Sequence, residues 1–367
     1  MNIDAEITGI KYKILNSVDP KEIAFEDFNI NFIPGIAFIK DIKYSFCITK
    51  WVSPKRTRSY PFERIYNSLS YPKKITVIPV VKDEGAEGDR DFIQWDTISL
   101  MSLMDVFVIP AYYEKAEKHP TMENKITNQK FSNSYVKQKI KEIANYYSSP
   151  LHWNLQEIKE SFPGLIDKVK ESYITISEEL DVQFHNESGI EKFKKQLLAG
   201  AENFMNSSRQ KAQEAQNREI HTIQPKEFLS SKTKAKITIK NYLGGHYFLT
   251  VDEMELRKDD VSLIECKHTK NSLIPSVGDI KDGLLKMVLY CNLKNVIVDS
   301  KSYISKPVLR LTSSLLSGNC SSFCSETELD EFCKINKLNY KQKQLVKNLF
   351  MEANENGFDV EITKVSL

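Results

Sequence analysis

Runs of β-branched and aromatic residues, bounded by polar clusters, predict strands along much of the chain, and apolar residues at three-to-four spacing predict the helices between them. Gly35–Ile39 and Tyr44–Thr49 read as short strands, and Lys74–Val81 as a buried one. The apolar-periodic Trp95–Met104 reads as a helix leading into a strand at Val106–Tyr113. That βαβ unit makes the first domain mixed α/β. Phe131–Gln216 is mostly helical and highly charged, with Ile190–Asn217 as one long helix. Beyond it, Ala235–Lys240 and a Gly244-Gly245 turn lead to two runs, Tyr247–Leu256 and Val261–His268. The polar Arg257-Lys-Asp-Asp260 between them makes the pair a hairpin. Ser276 is an N-cap for a helix over Val277–Asn292, whose Ile280, Leu284, Leu285, Val288 and Leu289 form one apolar stripe. Strands at Asn295–Asp299 and Pro307–Leu311, helices at Glu326–Asn336 and Lys341–Asn356, and a strand at Phe358–Thr363 follow. The expected fold is α/β (mixed α+β), a mixed sheet flanked by helices. Three segments are expected: an α/β domain over 1–155, a helical connector over 156–221 and a second domain over 222–367.

The hairpin concentrates the chemistry. With its turn centred between Lys258 and Asp259, Asp252 faces Glu265. On the same face Thr250 meets Lys267, Met254 meets Leu263 and Leu256 meets Val261. Like charges directly opposite each other destabilise a sheet, so two facing carboxylates imply a cation. Mg²⁺ prefers hard oxygen ligands and retained waters. Asp252 and Glu265 supply two such ligands, and the backbone carbonyl of Cys266 could add a third. Lys267, two residues on, shares the face, where it can orient or deprotonate a water and hold a phosphate oxygen. A solvated strand face with alternating charge is the bland account, but Met254, Val261 and Leu263 on that face argue against it. His268 points to the opposite face, for packing or DNA contact. A one-residue slip in register would separate the two acids.

The 367 residues exceed one comfortable core, which fits two domains. With 41% hydrophobic and 27% charged residues, the composition is that of a globular protein. No apolar run approaches the roughly 20 residues of a membrane span. No secretory leader is evident, and the six cysteines read as reduced thiols, so a cytoplasmic location is expected. A net charge of +2 leaves polyanion binding to local patches. One such patch is Trp51–Tyr66, where Lys55, Arg56, Arg58 and Arg64 interleave with Trp51, Tyr60, Phe62 and Tyr66. Cations with aromatics suit a DNA surface, and a solvated loop on a core suits the pattern equally. The acidic loop Asp83–Asp91 reads as an exposed connection more than a second metal site, because Glu84, Asp89, Asp91 and Asp96 have no regular ligand spacing. Cys320, Cys324 and Cys333 lack a fourth ligand for structural zinc. No Walker-type phosphate loop is present.

Asp252 on one strand and Glu265-Cys-Lys267 on the next resemble the PD-(D/E)xK nuclease superfamily. The stretch from Glu265 through Asn271-Ser to Asp279-Ile-Lys-Asp-Gly-Leu-Leu-Lys286 looks like that of type II restriction endonucleases. The resemblance covers roughly residues 240–300, and Val251 stands where the family's label has Pro. It implies a restriction-endonuclease-like core in the second domain. It also implies a Mg²⁺ cofactor, with Mn²⁺ as a substitute, and site-specific cleavage of double-stranded DNA to 5′-phosphate and 3′-hydroxyl ends. Lys55, Arg56, Arg58, Tyr60, Arg64 and Lys270 are then the expected DNA contacts. Cutting both strands calls for a homodimer or sequential nicks, and a companion methyltransferase is the expected partner in such a system. Alternatives are a superfamily nuclease of repair, recombination or transposition, or a non-catalytic nucleic-acid-binding protein on the same scaffold. Asp259 and Asp260 rank below Asp252 as the first acid, and Glu214 or Glu219 could join the site.

Overall fold

The computed structural model describes residues 1–41, 45–55, 61–220 and 234–364. The chain begins with β1 (Asn2–Ile7), β2 (Glu22–Ile23), β3 (Ile36–Lys40), β4 (Ser45–Lys50) and α1 (Pro61–Ser68). Then come β5 (Lys74–Pro79), β6 (Val81–Asp83), β7 (Arg90–Phe92), α2 (Trp95–Leu103), β8 (Val106–Ala111), β9 (Tyr113–Lys118) and β10 (Ile126–Phe131). A helical stretch follows: α3 (Asn133–Ala144), α4 (Pro150–Gln156), α5 (Phe162–Leu180), α6 (Ser188–Leu198) and α7 (Ala201–Ile220). The remainder is β11 (Ala235–Asn241), β12 (His246–Val251), β13 (Glu253–Leu256), β14 (Asp260–Thr269), α8 (Val277–Tyr290), β15 (Leu293–Val298), β16 (Lys301–Ser313), β17 (Asn319–Ser321), α9 (Glu326–Ile335), α10 (Tyr340–Asn356) and β18 (Asp359–Lys364). Mixed sheets flanked by helices make the fold α+β, as the sequence pattern implies.

The chain divides into a unit Asp19–Gln210 and a unit made of Met1–Val18 with Lys211–Leu367. The expected boundaries at 155 and 221 are therefore displaced. The helices beyond residue 155 belong with the preceding sheet, because α4 packs on β8 and α5 on β9. Strand β1 belongs to the other unit, where it pairs with β11 on one side and β15 on the other. The single long helix expected over Ile190–Asn217 is broken after Leu198, where Gly200 takes φ +104°, a backbone conformation open chiefly to glycine.

The Asp19–Gln210 unit is built on a five-stranded sheet, β2-β3-β4-β5-β8. Every residue of β5 and β8 is buried, including Lys74 and Thr76, as expected of parallel strands covered on both faces. β8 is the edge strand, and side chains of α4 close that edge. Asn154 Oδ1 accepts from Val108 N–H at 2.8 Å, and Trp153 Nε1 donates to Val108 O at 2.9 Å. An open edge would otherwise invite pairing with another chain. β9 and β10 form a separate two-stranded ladder.

The second unit carries a nine-stranded sheet with the path β12-β11-β1-β15-β16-β14-β13, and with β18 and β17 branching from β16. Long β16 allows the branch. It runs antiparallel to β15 over Lys301–Tyr303, then parallel to β18 over Val308–Ser313, while β14 stays parallel along its other edge. Helix α8 connects β14 to β15 and packs on β14 and β16. Its Leu284, Leu285, Val288 and Leu289 are fully buried, each contributing about 1.5–3 kcal/mol. Buried Glu352 of α10 anchors the segment after β1, accepting from Tyr12 Oη at 2.9 Å, Leu15 N–H at 3.0 Å and Asn16 Nδ2 at 2.7 Å.

Candidate active site

The β13–β14 ladder has the register that the turn predicts: Met254 opposes Leu263 and Leu256 opposes Val261. It stops one residue short of the acids, at Glu253 opposite Ile264. Asp252 is a bend between β12 and β13, so the expected ladder pair Asp252–Glu265 does not form. Thr250 pairs with Lys236 of β11, not with Lys267. The acid reaches the motif another way. Past Ile264 the edge of β14 loses β13, which would leave the Cys266 N–H a buried donor without a partner strand there. Asp252 Oδ2 accepts that N–H at 2.8 Å. Asp252 is thereby fixed to the residue between Glu265 and Lys267.

Glu265 and Lys267 lie on the α8 face of β14, level with Leu309 and Leu311 of β16. Glu265 is 1% exposed. Both of its oxygens meet ammonium groups, Oε1 with Lys267 Nζ at 2.9 Å and Oε2 with Lys286 Nζ at 2.6 Å. Lys267 also meets Asp282 Oδ2 at 3.0 Å, and Lys286 reaches Thr250 O at 3.4 Å. Burial pushes the Glu265 carboxyl up, but the charges of Lys286 and Lys267 outweigh it and hold the group below the usual carboxylate range. Burial disfavours the charged form of Lys267, yet Glu265 and then Asp282 overcome this and raise it well above an ordinary lysine. Lys267 is therefore an ammonium at neutral pH, a donor and not a base in this arrangement.

Asp282 and Lys286 sit one helical turn apart on α8, and motif spacing in the strand pair does not reveal them. Their signal was the Asp-Gly-Leu-Leu-Lys run after the N-cap Ser276, whose side chain accepts from Asp279 N–H. Gly283 lies between them. A Cβ there would stand 2.7 Å from Leu309 Cδ1 and 3.2 Å from Lys267 Cε, so only glycine lets α8 approach this closely.

The donor set suits a hard divalent cation in kind. Asp252 and Glu265 are buried carboxylates, and the Cys266 carbonyl leaves the strand on the same edge as the Cys266 N–H that holds Asp252. Each Glu265 oxygen has a second lone pair beyond the one its lysine uses. Asp252, Glu265 and Asp282 carry three formal negative charges against two on Lys267 and Lys286. A divalent ion would leave one net positive charge, the complement of a phosphodiester. Among the described residues, no group of three or more His, Cys, Asp or Glu side chains is placed to hold a metal ion, so this site offers two carboxylates and a backbone carbonyl.

Other expected residues fall elsewhere. Asp259 and Asp260 lie at the opposite end of the β13–β14 ladder from Cys266. Glu214 is exposed on α7, and the side chain of Glu219 lies outside the described residues. Arg56, Arg58 and Tyr60 also lie outside them. Lys55 is exposed, 3.7 Å from Asp91. Arg64 is used within the fold: its Nη1 donates to Lys50 O, and its guanidinium covers Gly35. Trp51, Phe62 and Tyr66 are buried core side chains and so offer no stacking surface. Lys270 is exposed just past the end of β14. In the acidic loop Asp83 is buried, where its Oδ1 meets Gly85 N–H at 3.0 Å and His185 Nδ1 at 2.8 Å. Glu84 pairs with Lys82 at 2.9 Å. His268 takes the face opposite Lys267 and contacts Thr312 Oγ1 at 2.9 Å. All six cysteines are free thiols. Among the described residues no helix is long and apolar enough to cross a membrane.

Comparison with protein-family models, with curated proteins and with solved structures finds no match to this chain.

Proposed function

We propose that this protein is a Mg²⁺-dependent endonuclease of the PD-(D/E)xK type, cleaving double-stranded DNA in the manner of a type II restriction enzyme. The observation that carries the reading is the Asp252 carboxylate held on the Cys266 N–H, between Glu265 and Lys267. It ties the first acid of the motif to the backbone of the residue that separates the other two. Asp252, Glu265 and the Cys266 carbonyl would hold the ion, which when bound neutralises charge at phosphorus and lowers the pKa of an attacking water.

The chain's own residues supply the rest. Lys267, kept protonated by Glu265 and Asp282, donates to a phosphate oxygen and stabilises the charge that builds there. Asp282 aims that ammonium, and Lys286 keeps the buried Glu265 ionised. Gly283 holds α8 close enough for both contacts.

The test is cleavage of plasmid DNA in Mg²⁺ by wild type and Glu265→Ala. The wild type is expected to give discrete fragments with 5′-phosphate ends, and the variant to lose at least a thousandfold in rate. Divalent-dependent cleavage that survives in Glu265→Ala ends this assignment. A smear in place of discrete bands moves it to a repair, recombination or transposition nuclease of the same superfamily.

A further inference from the structure

The Asp19–Gln210 unit contains a cavity of about 490 Å³ bordered by β4, β6 and the β9–β10 ladder. Its floor is aromatic: Tyr113 and Phe131 stack with ring centroids 4.4 Å apart, and both are buried. Its walls are cationic. Lys50, Lys82, Lys125 and Lys130 line it against one carboxylate, Glu84, leaving three net positive charges. His119 is also on the wall; its Nδ1 accepts from Met122 N–H at 3.2 Å, so Nε2 carries the hydrogen as a donor.

Three of these four cations, Lys50, Lys82 and Lys130, are held by contacts within the fold. Lys50 Nζ is tied to Ile30 O at 2.8 Å and Ile33 O at 2.9 Å. Lys130 Nζ donates to Asn128 Oδ1 at 2.7 Å, and Lys82 Nζ lies 2.9 Å from Glu84. Like charges held around one concavity repel each other, and a folded protein keeps such an arrangement where an anion repays it. Burial lowers the Lys50 ammonium to about 8, and the positive charges of Arg64 and Lys130 add to the fall. A single carboxylate ligand would leave most of this charge unanswered. Several phosphate oxygens on adjacent phosphorus atoms would not, and the cavity lies in the size range of small-molecule sites.

We propose that this cavity binds a compact polyphosphate group, the di- or triphosphate of a nucleotide or successive phosphates of a nucleic-acid strand. The proposal is independent of the nuclease reading, since none of the lining residues belongs to the unit that carries Glu265. Titration calorimetry of the full chain with inorganic pyrophosphate, at low and at physiological salt, tests it. Saturable binding that weakens with salt is expected. Lys125→Glu/Lys130→Glu and the milder Lys125→Gln/Lys130→Gln should lose it at least tenfold, with unchanged unfolding midpoints. Competition by metal-free ATP identifies a free nucleotide as the source. Competition by a short single-stranded oligonucleotide without ATP competition identifies a strand. No saturable binding of any probe by the wild type, or equal affinity in both double variants, overturns the proposal.

Discussion

Lys286 is the residue that most alters the picture of the site. Its ammonium lies on the oxygen of Glu265 that Lys267 leaves open, so a cation approaching the two acids must compete with it. Lys286→Met is therefore expected to bind Mn²⁺ several-fold more tightly by calorimetry. It should also lose about 1–3 kcal/mol of stability, because a buried carboxylate loses one of its two partners. The same clamp sets a pH profile. Glu265 is lowered on folding, so its contribution is whole above the unfolded value of about 4.3 and is lost as pH falls through the folded value below it. Lys267 is raised, so its contribution is whole below about 10.4 and is lost as pH rises through its folded value. Urea unfolding should show a plateau between those limits, and Glu265→Gln should flatten the acid limb. Asp252, Glu265 and Lys267 were legible in the sequence because their spacing is a motif. Lys286 and Asp282 fell inside the run that carries the resemblance, but their contacts with Glu265 and Lys267 were not legible there. Lysine and aspartate on an amphipathic helix read as its solvent face, and only the close approach at Gly283 turns them inward.

At the scale of elements, the decisive event is the change of partner at Asp252, from β11 before it to β14 after it. Asp252 then serves a backbone amide as well as the proposed chemistry, and two substitutions separate those duties. Asp252→Asn retains an acceptor for Cys266 N–H, so stability should stay within about 1 kcal/mol while Mg²⁺-dependent cleavage falls by orders of magnitude. Asp252→Ala leaves that N–H unpaired and should cost about 1–3 kcal/mol besides, read by urea unfolding. The hairpin register was legible because the polar turn and alternating side chains specify it. The end of the ladder was not, because Tyr247–Leu256 contains no glycine or proline to mark a break. Which neighbour a strand takes is decided by the rest of the sheet. The break in the expected long helix at Gly200 was marked by its glycine, although surrounding helical periodicity reads through a single such residue.

For the whole molecule, the two proposed ligand sites reside in different units. Calorimetry should resolve two transitions, Mn²⁺ raising one and pyrophosphate the other, each by mass action on the unit that binds it. A joint shift by either ligand would show the units unfolding together. The α+β class was legible from the alternation of strand and helix signals. The units' composition was not, because Asn2–Ile7 carries too short a pattern to name its partners.

Strand β1 has a consequence for synthesis. It is made before the Asp19–Gln210 unit, yet it lies inside the sheet between β11 and β15, both encoded after the whole of that unit. Ribosomes add roughly 5–20 residues per second, so Ile3, Ala5 and Ile7 wait on the order of ten seconds or more before the strands that bury them exist. The intervening unit can fold during that interval. A chain begun at residue 211 would lack the strand altogether, leaving facing edges of β11 and β15 open to a neighbouring molecule.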